Sequence, residues 1–299
     1  MKDVYAHLHP SARAVVEESA DTRIRRIRTD RWIGYARAQS ALSAIEDLLS
    51  FPKRMRMPNI VLVGPTNNGK TMIVERFRRA HTPTEADTTP DGVAVVPVLN
   101  VQMPAGADER RLFGAILEAL GLPGPGGERA VAARQDAAIR LMRATQVQLL
   151  ILDELHNVLS GTRDQQRRVL NLLRWIGNEL QIPIVAVGTA EALRALQSDE
   201  QLANRFEPFP LPPWRAGDEY RRLLLTLEAI LPLRNPSEFT EPLVASKILS
   251  ASEGILGEIL TIITRAAVRA IETRTESITA RIVDETAFIP PSERRRVAV

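Results

Sequence analysis

Residues 58–71 read Pro58-Asn59-Ile60-Val61-Leu62-Val63-Gly64-Pro65-Thr66-Asn67-Asn68-Gly69-Lys70-Thr71. The apolar run at 60–63 predicts a short buried strand. Gly-x-x-x-x-Gly-Lys-Thr follows, and Met72-Ile73-Val74-Glu75-Arg76-Phe77 reads as the start of a helix. This is a phosphate-binding loop in the strand–loop–helix setting that the motif requires. Gly64 and Gly69 let the backbone turn tightly and bring amide N–H groups inward with no Cβ in the way. Those amides and the positive end of the helix make an anion site. Lys70 adds a point charge for the β- and γ-phosphates, and Thr71 offers its hydroxyl to Mg²⁺. Pro65, Thr66, Asn67, Asn68 and Met72 complete the stretch expected to hold ATP.

The rest of the composition sets bounds. A chain of 299 residues, 44% hydrophobic, is long enough for a core domain with appendages. No run of 18 apolar residues occurs, so no membrane span is expected. The stretch 1–7 lacks the apolar core of a signal peptide. Cysteine is absent, which excludes disulfides and thiolate metal sites. The expected compartment is therefore the cytoplasm. The four histidines, at 7, 9, 81 and 156, are scattered. Net charge is +3, and lysine occurs only at 2, 53, 70 and 247, so the basic residues are nearly all arginine. Such a balance favours phosphate-rich partners, although a GC-rich coding sequence produces the same bias.

A second chemical signal lies at Gln148-Leu149-Leu150-Ile151-Leu152-Asp153-Glu154. The apolar run predicts a strand buried on both faces, with two carboxylates at its carboxyl end, where ligands bind in open α/β sheets. Asp153 is placed to hold Mg²⁺ and Glu154 to polarise the attacking water. His156 reads as a local hydrogen-bonding residue. Further strands are expected over 93–101, 181–189 and 207–211. The fourth ends at Thr189, positioned to sense the γ-phosphate or hold the attacking water. Helices are expected over 11–29, 36–49, 109–120, 130–145, 164–180 and 190–198. A Pro/Gly loop is expected over 121–127. The Pro-rich break near 208–213 marks a domain boundary, and beyond it the pattern is helical.

Trp32-Ile33-Gly34-Tyr35 has two readings, an aromatic turn folded over the nucleotide base or plain core packing. The cluster Arg23, Arg25, Arg26 and Arg28 is either a solvated face or a nucleic-acid or partner contact.

Taken together, the two phosphate motifs, the polar residue closing the fourth strand, an arginine before the fifth and a helical C-terminus resemble an AAA+ ATPase. Arg31-Trp32-Ile33-Gly34-Tyr35, Arg56-Met57-Pro58-Asn59, the Asn67-Asn68 pair and Leu152-Asp153-Glu154-Leu155-His156-Asn157 resemble the TniB/TnsC family of transposition ATPases. The fold this implies is α/β, an AAA+ P-loop core with a five-stranded parallel sheet flanked by helices, plus a C-terminal all-helical lid. The expected domains are an N-terminal helical segment on the core (1–50), the nucleotide-binding domain (51–212), the lid (213–288) and a basic flexible tail (289–299). The resemblance implies an ATPase that oligomerises as a ring or filament on double-stranded DNA and recruits a DDE transposase. A TniQ-like target-selection protein is a further implied partner, and ATP hydrolysis resets the assembly. By matching position, Arg205 is the arginine finger, supplied in trans. Gly257 stands where many AAA+ lids carry a sensor arginine, which fits slow or partner-stimulated hydrolysis.

In ring-forming ATPases the loops after strands two and three face the central pore. On location and charge, Arg110, Arg111, Arg163, Arg167 and Arg168 are DNA-contact candidates. A replication-initiator or helicase-loader AAA+ protein would share every catalytic residue, and its partner, a helicase, would tell it apart. A small-molecule kinase would use the same loop, but Asp153, Glu154 and Arg205 suit hydrolysis better than transfer to an acceptor.

Overall fold

A computed structural model describes residues 5–84, 87–106, 108–122 and 131–297. The Pro/Gly loop expected over 121–127 lies almost wholly outside the described residues, as do residues 1–4, 298 and 299. The chain divides into two compact units, residues 37–212 and residues 1–36 with 213–299.

The first unit is built on five parallel strands, β1 (Asn59–Val63), β2 (Val98–Gln102), β3 (Leu149–Asp153), β4 (Ile184–Gly188) and β5 (Phe206–Pro210), in the order β2-β3-β4-β1-β5. β3 and β4 are buried along their whole length, as expected of parallel strands covered on both faces. One face packs Val61, Leu99, Leu150, Leu152 and Ala186 against helices Glu109–Ala119, Val131–Ala144 and Arg163–Leu180. Thr162 starts the last of these helices with a capping box, its hydroxyl accepting from Gln165 N–H while the Gln165 side chain accepts from Thr162 N–H. β2 begins five residues later than the β-rich run at 93–101 suggests. Thr88 and Ala94 pair in an isolated antiparallel bridge, and Pro97 has no N–H to give a ladder.

Asn59 of the Arg-Met-Pro-Asn stretch has a local task. Its side chain is buried, and Oδ1 accepts from Ile184 N–H at 2.7 Å, pinning the starts of β1 and β4 together.

The second unit is helical, with Asp218–Ile230, Pro242–Ser252, Leu256–Glu272 and Ala280–Glu285 around a core that includes Leu224, Phe239, Ile248, Ile259 and Ile263. Two expectations change here. Residues 1–36 group with these helices and not with the sheet, because Ile27 and Ile33 are buried in this core. The tail, expected to be flexible, forms helix Pro291–Val297. Arg294 holds it down by donating to the Glu258 carboxylate and to Ile289 O, and by lying over the Phe288 ring. Within the basic cluster of the N-terminal helix, Arg23 is not a surface contact. It is buried, and its fork bonds Glu276 at 2.7 and 2.6 Å.

Candidate active site

The carboxyl edge of the sheet gathers three strand ends. Gly64 N–H donates to Gly188 O at 3.2 Å, and Leu211 N–H donates to Val63 O at 2.7 Å, so the loop leaving β1 is flanked by β4 and the end of β5. The approach is so close that a Cβ on Gly64 would lie 2.4 Å from Leu211 O. Glycine is therefore required at this position, as the motif demands. Gly69, at φ +84°, turns the chain into helix Lys70–Ala80. No side chain caps that helix, so its first N–H groups remain turned to the loop.

The loop wraps the Lys70 side chain, which is 8% exposed. Its Nζ donates to Gly64 O at 2.9 Å and Pro65 O at 2.6 Å. Burial pushes the ammonium pKa below the usual lysine value, and the Glu154 and Asp153 carboxylates oppose that shift. Thr71 Oγ1 donates to Asp153 Oδ2 at 2.7 Å, joining the loop to the acidic end of β3 across 82 residues of chain. Asp153 is buried, and its Oδ1 accepts from Glu154 N–H at 2.8 Å.

Glu154 follows in the left-handed region, at φ 56°. The turn directs its carboxylate to His156, with Oε2 3.1 Å from Nε2. A carboxylate only accepts, so Nε2 carries the hydrogen. His156 Nδ1 is buried with no partner among the described residues. Thr189 follows β4 and precedes helix Ala190–Gln197 without capping it by its side chain, and its Oγ1 is buried without a partner among the described residues. Buried hydroxyls are normally bonded, so this one keeps an unused donor and acceptor at the carboxyl edge of the sheet.

The residues present fit ATP with Mg²⁺. They offer a glycine-lined amide cradle, a buried ammonium, a hydroxyl–carboxylate pair at metal-ligand chemistry and an unengaged hydroxyl at the same edge.

The Asn67-Asn68 pair divides. Asn67 is exposed and adopts φ 61°, a conformation asparagine tolerates better than most residues. Asn68 is 3% exposed, and its Nδ2 donates to Leu211 O at 2.8 Å and to Pro212 O at 3.4 Å. Pro65 is half-buried, while Thr66, Thr71 and Met72 face solvent. Ile33 is buried among the C-terminal helices, Trp32 is half-buried, and Tyr35 packs edge-on against Trp214 with centroids 5.1 Å apart.

Arg205 lies at the opposite edge of the sheet. Its carbonyl accepts from Asn59 N–H at 3.1 Å, at the amino end of β1. At about 3.3 Å per residue, β1 carries the loop about 17 Å from that point. An arginine side chain does not span this distance, so Arg205 does not reach the loop of its own chain. Its Nη1 donates to Asn178 Oδ1 at 2.9 Å. Asn178 escaped sequence reading because a helical asparagine carries no motif.

Of the basic candidates, Arg110 and Arg111 are exposed on the first turn of Glu109–Ala119, and Arg163, Arg167 and Arg168 on the first turns of Arg163–Leu180. The loops ahead of the two helices are bonded together. Asn157 Nδ2 donates to Met103 O and Gly106 N–H to Ser160 Oγ, each at 2.8 Å. Arg163 and Arg167 also line a cleft of about 830 Å³ shared with Glu191, Arg194, Asp199 and Glu200.

A family model described as "Bacterial TniB protein" matches residues 23–216. Among solved structures, the Aeropyrum pernix ORC1 protein in complex with DNA is similar, with a TM-score of 0.60 and 19% identity, covering 92% of this chain and 69% of that one. The ORC2 protein of the same organism, in ADPNP-ADP complexes, gives 0.59 and 16% over 92% and 74%. Drosophila ORC bound to DNA gives 0.57 and 16% over 89% and 64%. At these identities the likeness is one of fold, the AAA+ P-loop ATPase fold. A search of curated proteins returned no match.

Proposed function

This chain belongs to the bacterial TniB protein family, and from that premise we propose that it is an ATP-dependent, DNA-binding regulator of transposition. The observation that carries the reading is the Thr71–Asp153 contact at 2.7 Å, which brings phosphate loop and acidic strand end into one site. ATP lies in the loop 64–71, with Lys70 leaving the two carbonyls for phosphate oxygens. Thr71 and Asp153 would hold Mg²⁺, which would neutralise charge on the phosphates. Glu154 accepts a proton from the attacking water, and Thr189 Oγ1 positions that water or a γ-phosphate oxygen.

Arg205, unable to reach its own loop, completes the site of a neighbouring copy, so the active species is a homo-oligomer. The loops carrying Arg110, Arg111, Arg163, Arg167 and Arg168 face double-stranded DNA through phosphate contacts. The assembled form recruits a DDE transposase, with a TniQ-like protein as a further partner, and hydrolysis resets it. The absence of an arginine at Gly257 supports slow or partner-stimulated hydrolysis.

Electron microscopy with duplex DNA tests the reading. A non-hydrolysable ATP analogue produces rings or filaments, and Lys70→Ala abolishes them. Glu154→Gln assembles and stays assembled in ATP. DNA binding indifferent to nucleotide, or to Lys70→Ala, refutes the proposal. Binding falls steeply with salt, because phosphate contacts release counterions.

A further inference from the structure

Four arginines crowd the amino edge of the sheet, with no carboxylate among their partners in the described residues. A cleft of about 590 Å³ is lined by Arg54, Arg56 and Arg205 together with Asn59, Gln201 and Asn204. Arg174 borders the adjoining void beside Arg205 and donates to Gln201. Among the described residues, none of these four arginines forms an ion pair, and Glu207 is the single acidic residue lining the cleft. Their fields overlap. Burial lowers the Arg205 pKa, and the charges of Arg56 and Arg174 lower it further. Like charges held together without compensation within the chain mark a place where an anion from outside supplies it.

The anion is not the chain's own nucleotide, whose loop is about 17 Å away at the far end of β1. Between Arg54 and Arg56, Met55 is 82% exposed. A bare methionine beside cations suits a protein surface that delivers an anion better than it suits the polar backbone of a duplex.

We propose that Arg56 acts with Arg205 as a two-arginine receptor for the terminal phosphates of the nucleotide bound by a neighbouring copy. The proposal rests on the trans reading of Arg205 and extends it to a second residue, from the loop ahead of β1. A triphosphate carries more charge than one guanidinium balances. Two forks from different segments hold its end in a defined orientation.

The test uses the full chain with saturating duplex DNA and Mg²⁺-ATP. Arg56→Ala hydrolyses ATP at least tenfold more slowly than wild type, the loss expected for one charge-assisted bond, and Arg56→Lys recovers part of the rate. Both melt like wild type, because the Arg56 side chain is exposed and forms no ion pair among the described residues. Mixing Arg56→Ala with Lys70→Ala restores hydrolysis, since the first supplies an intact loop and the second an intact arginine edge.

Wild-type hydrolysis by Arg56→Ala overturns the inference, as does a mixture that stays inactive. Weakened DNA affinity with hydrolysis intact also overturns it, assigning the cleft to DNA phosphates instead. If Arg205→Ala is complemented in the mixture and Arg56→Ala is not, this inference alone fails. If neither is complemented, the trans reading falls with it.

Discussion

Asn68→Ala separates two roles that a loop residue can have, binding the nucleotide or holding the loop. The side chain is 3% exposed, and its amide donates to Leu211 O at 2.8 Å. The second contact, to Pro212 O at 3.4 Å, is too long to contribute much. Removing the amide takes the donor from a buried carbonyl, which costs about 1–3 kcal/mol. The three lost heavy atoms leave a small void that adds to this. A total of about 2–4 kcal/mol lowers the melting temperature of the sheet-bearing unit by about 4–16 °C, using the scale for domains of this size. Thermal unfolding by circular dichroism without nucleotide reads this directly. Asn68→Asp preserves shape, so it isolates the donor; it destabilises as well, and its added negative charge also weakens nucleotide binding. If Asn68→Ala melts like wild type and loses only nucleotide affinity, the amide acts on the phosphates and the tether reasoning is wrong.

Four other outcomes are expected. Gly64→Ala forces a Cβ to within 2.4 Å of a backbone oxygen, so the loop shifts and nucleotide affinity by titration falls at least tenfold; unchanged affinity would show that the cradle yields freely. Arg23→Met leaves the Glu276 carboxylate without its buried partner and costs about 3–5 kcal/mol in the C-terminal unit, with Glu276→Gln added in the same chain recovering part of the loss. The same pair sets an acid limb. Burial raises the Glu276 pKa, but the bonds and charge of Arg23 override it and leave the value below the ordinary glutamate range. The pair's stabilisation is therefore complete above that range and lost as pH falls through the folded value, so wild type loses stability toward acid more steeply than Glu276→Gln. His156→Ala releases the Glu154 carboxylate, lowering kcat about tenfold with nucleotide affinity unchanged; a kcat equal to wild type would make the contact idle.

Much of the fold was legible because its signals are local. Parallel strands buried on both faces read as apolar runs, and three of five were placed within a residue or two, while the fourth was started three residues early, at Gln181 instead of Ile184. The second was set too early, since Pro97 and the Thr88–Ala94 bridge are not features of composition. The family, too, was legible, in short motifs with fixed spacing. The N-terminal segment was not. An amphipathic helix announces that it has an apolar face but not which surface covers it, and Ile27 is buried among helices more than 190 residues away in sequence. Arg23 looked like part of a basic surface for the same reason, its partner being 253 residues distant.

The sequence by itself determined the phosphate loop, the acidic strand end and the polar stop at Thr189. Each is a run of adjacent residues whose chemistry depends on backbone geometry close at hand. Only the tertiary structure decided that Thr71 touches Asp153, that Asn68 is a tether to Leu211, and that Arg205 stands at the far edge beside Arg56 and Arg174. Those facts follow from the strand order β2-β3-β4-β1-β5, in which β1 lies between two strands more than 100 residues later in the chain. Parallel pairing at that separation is set by the collective burial of both sheet faces, which no local spacing in the chain records.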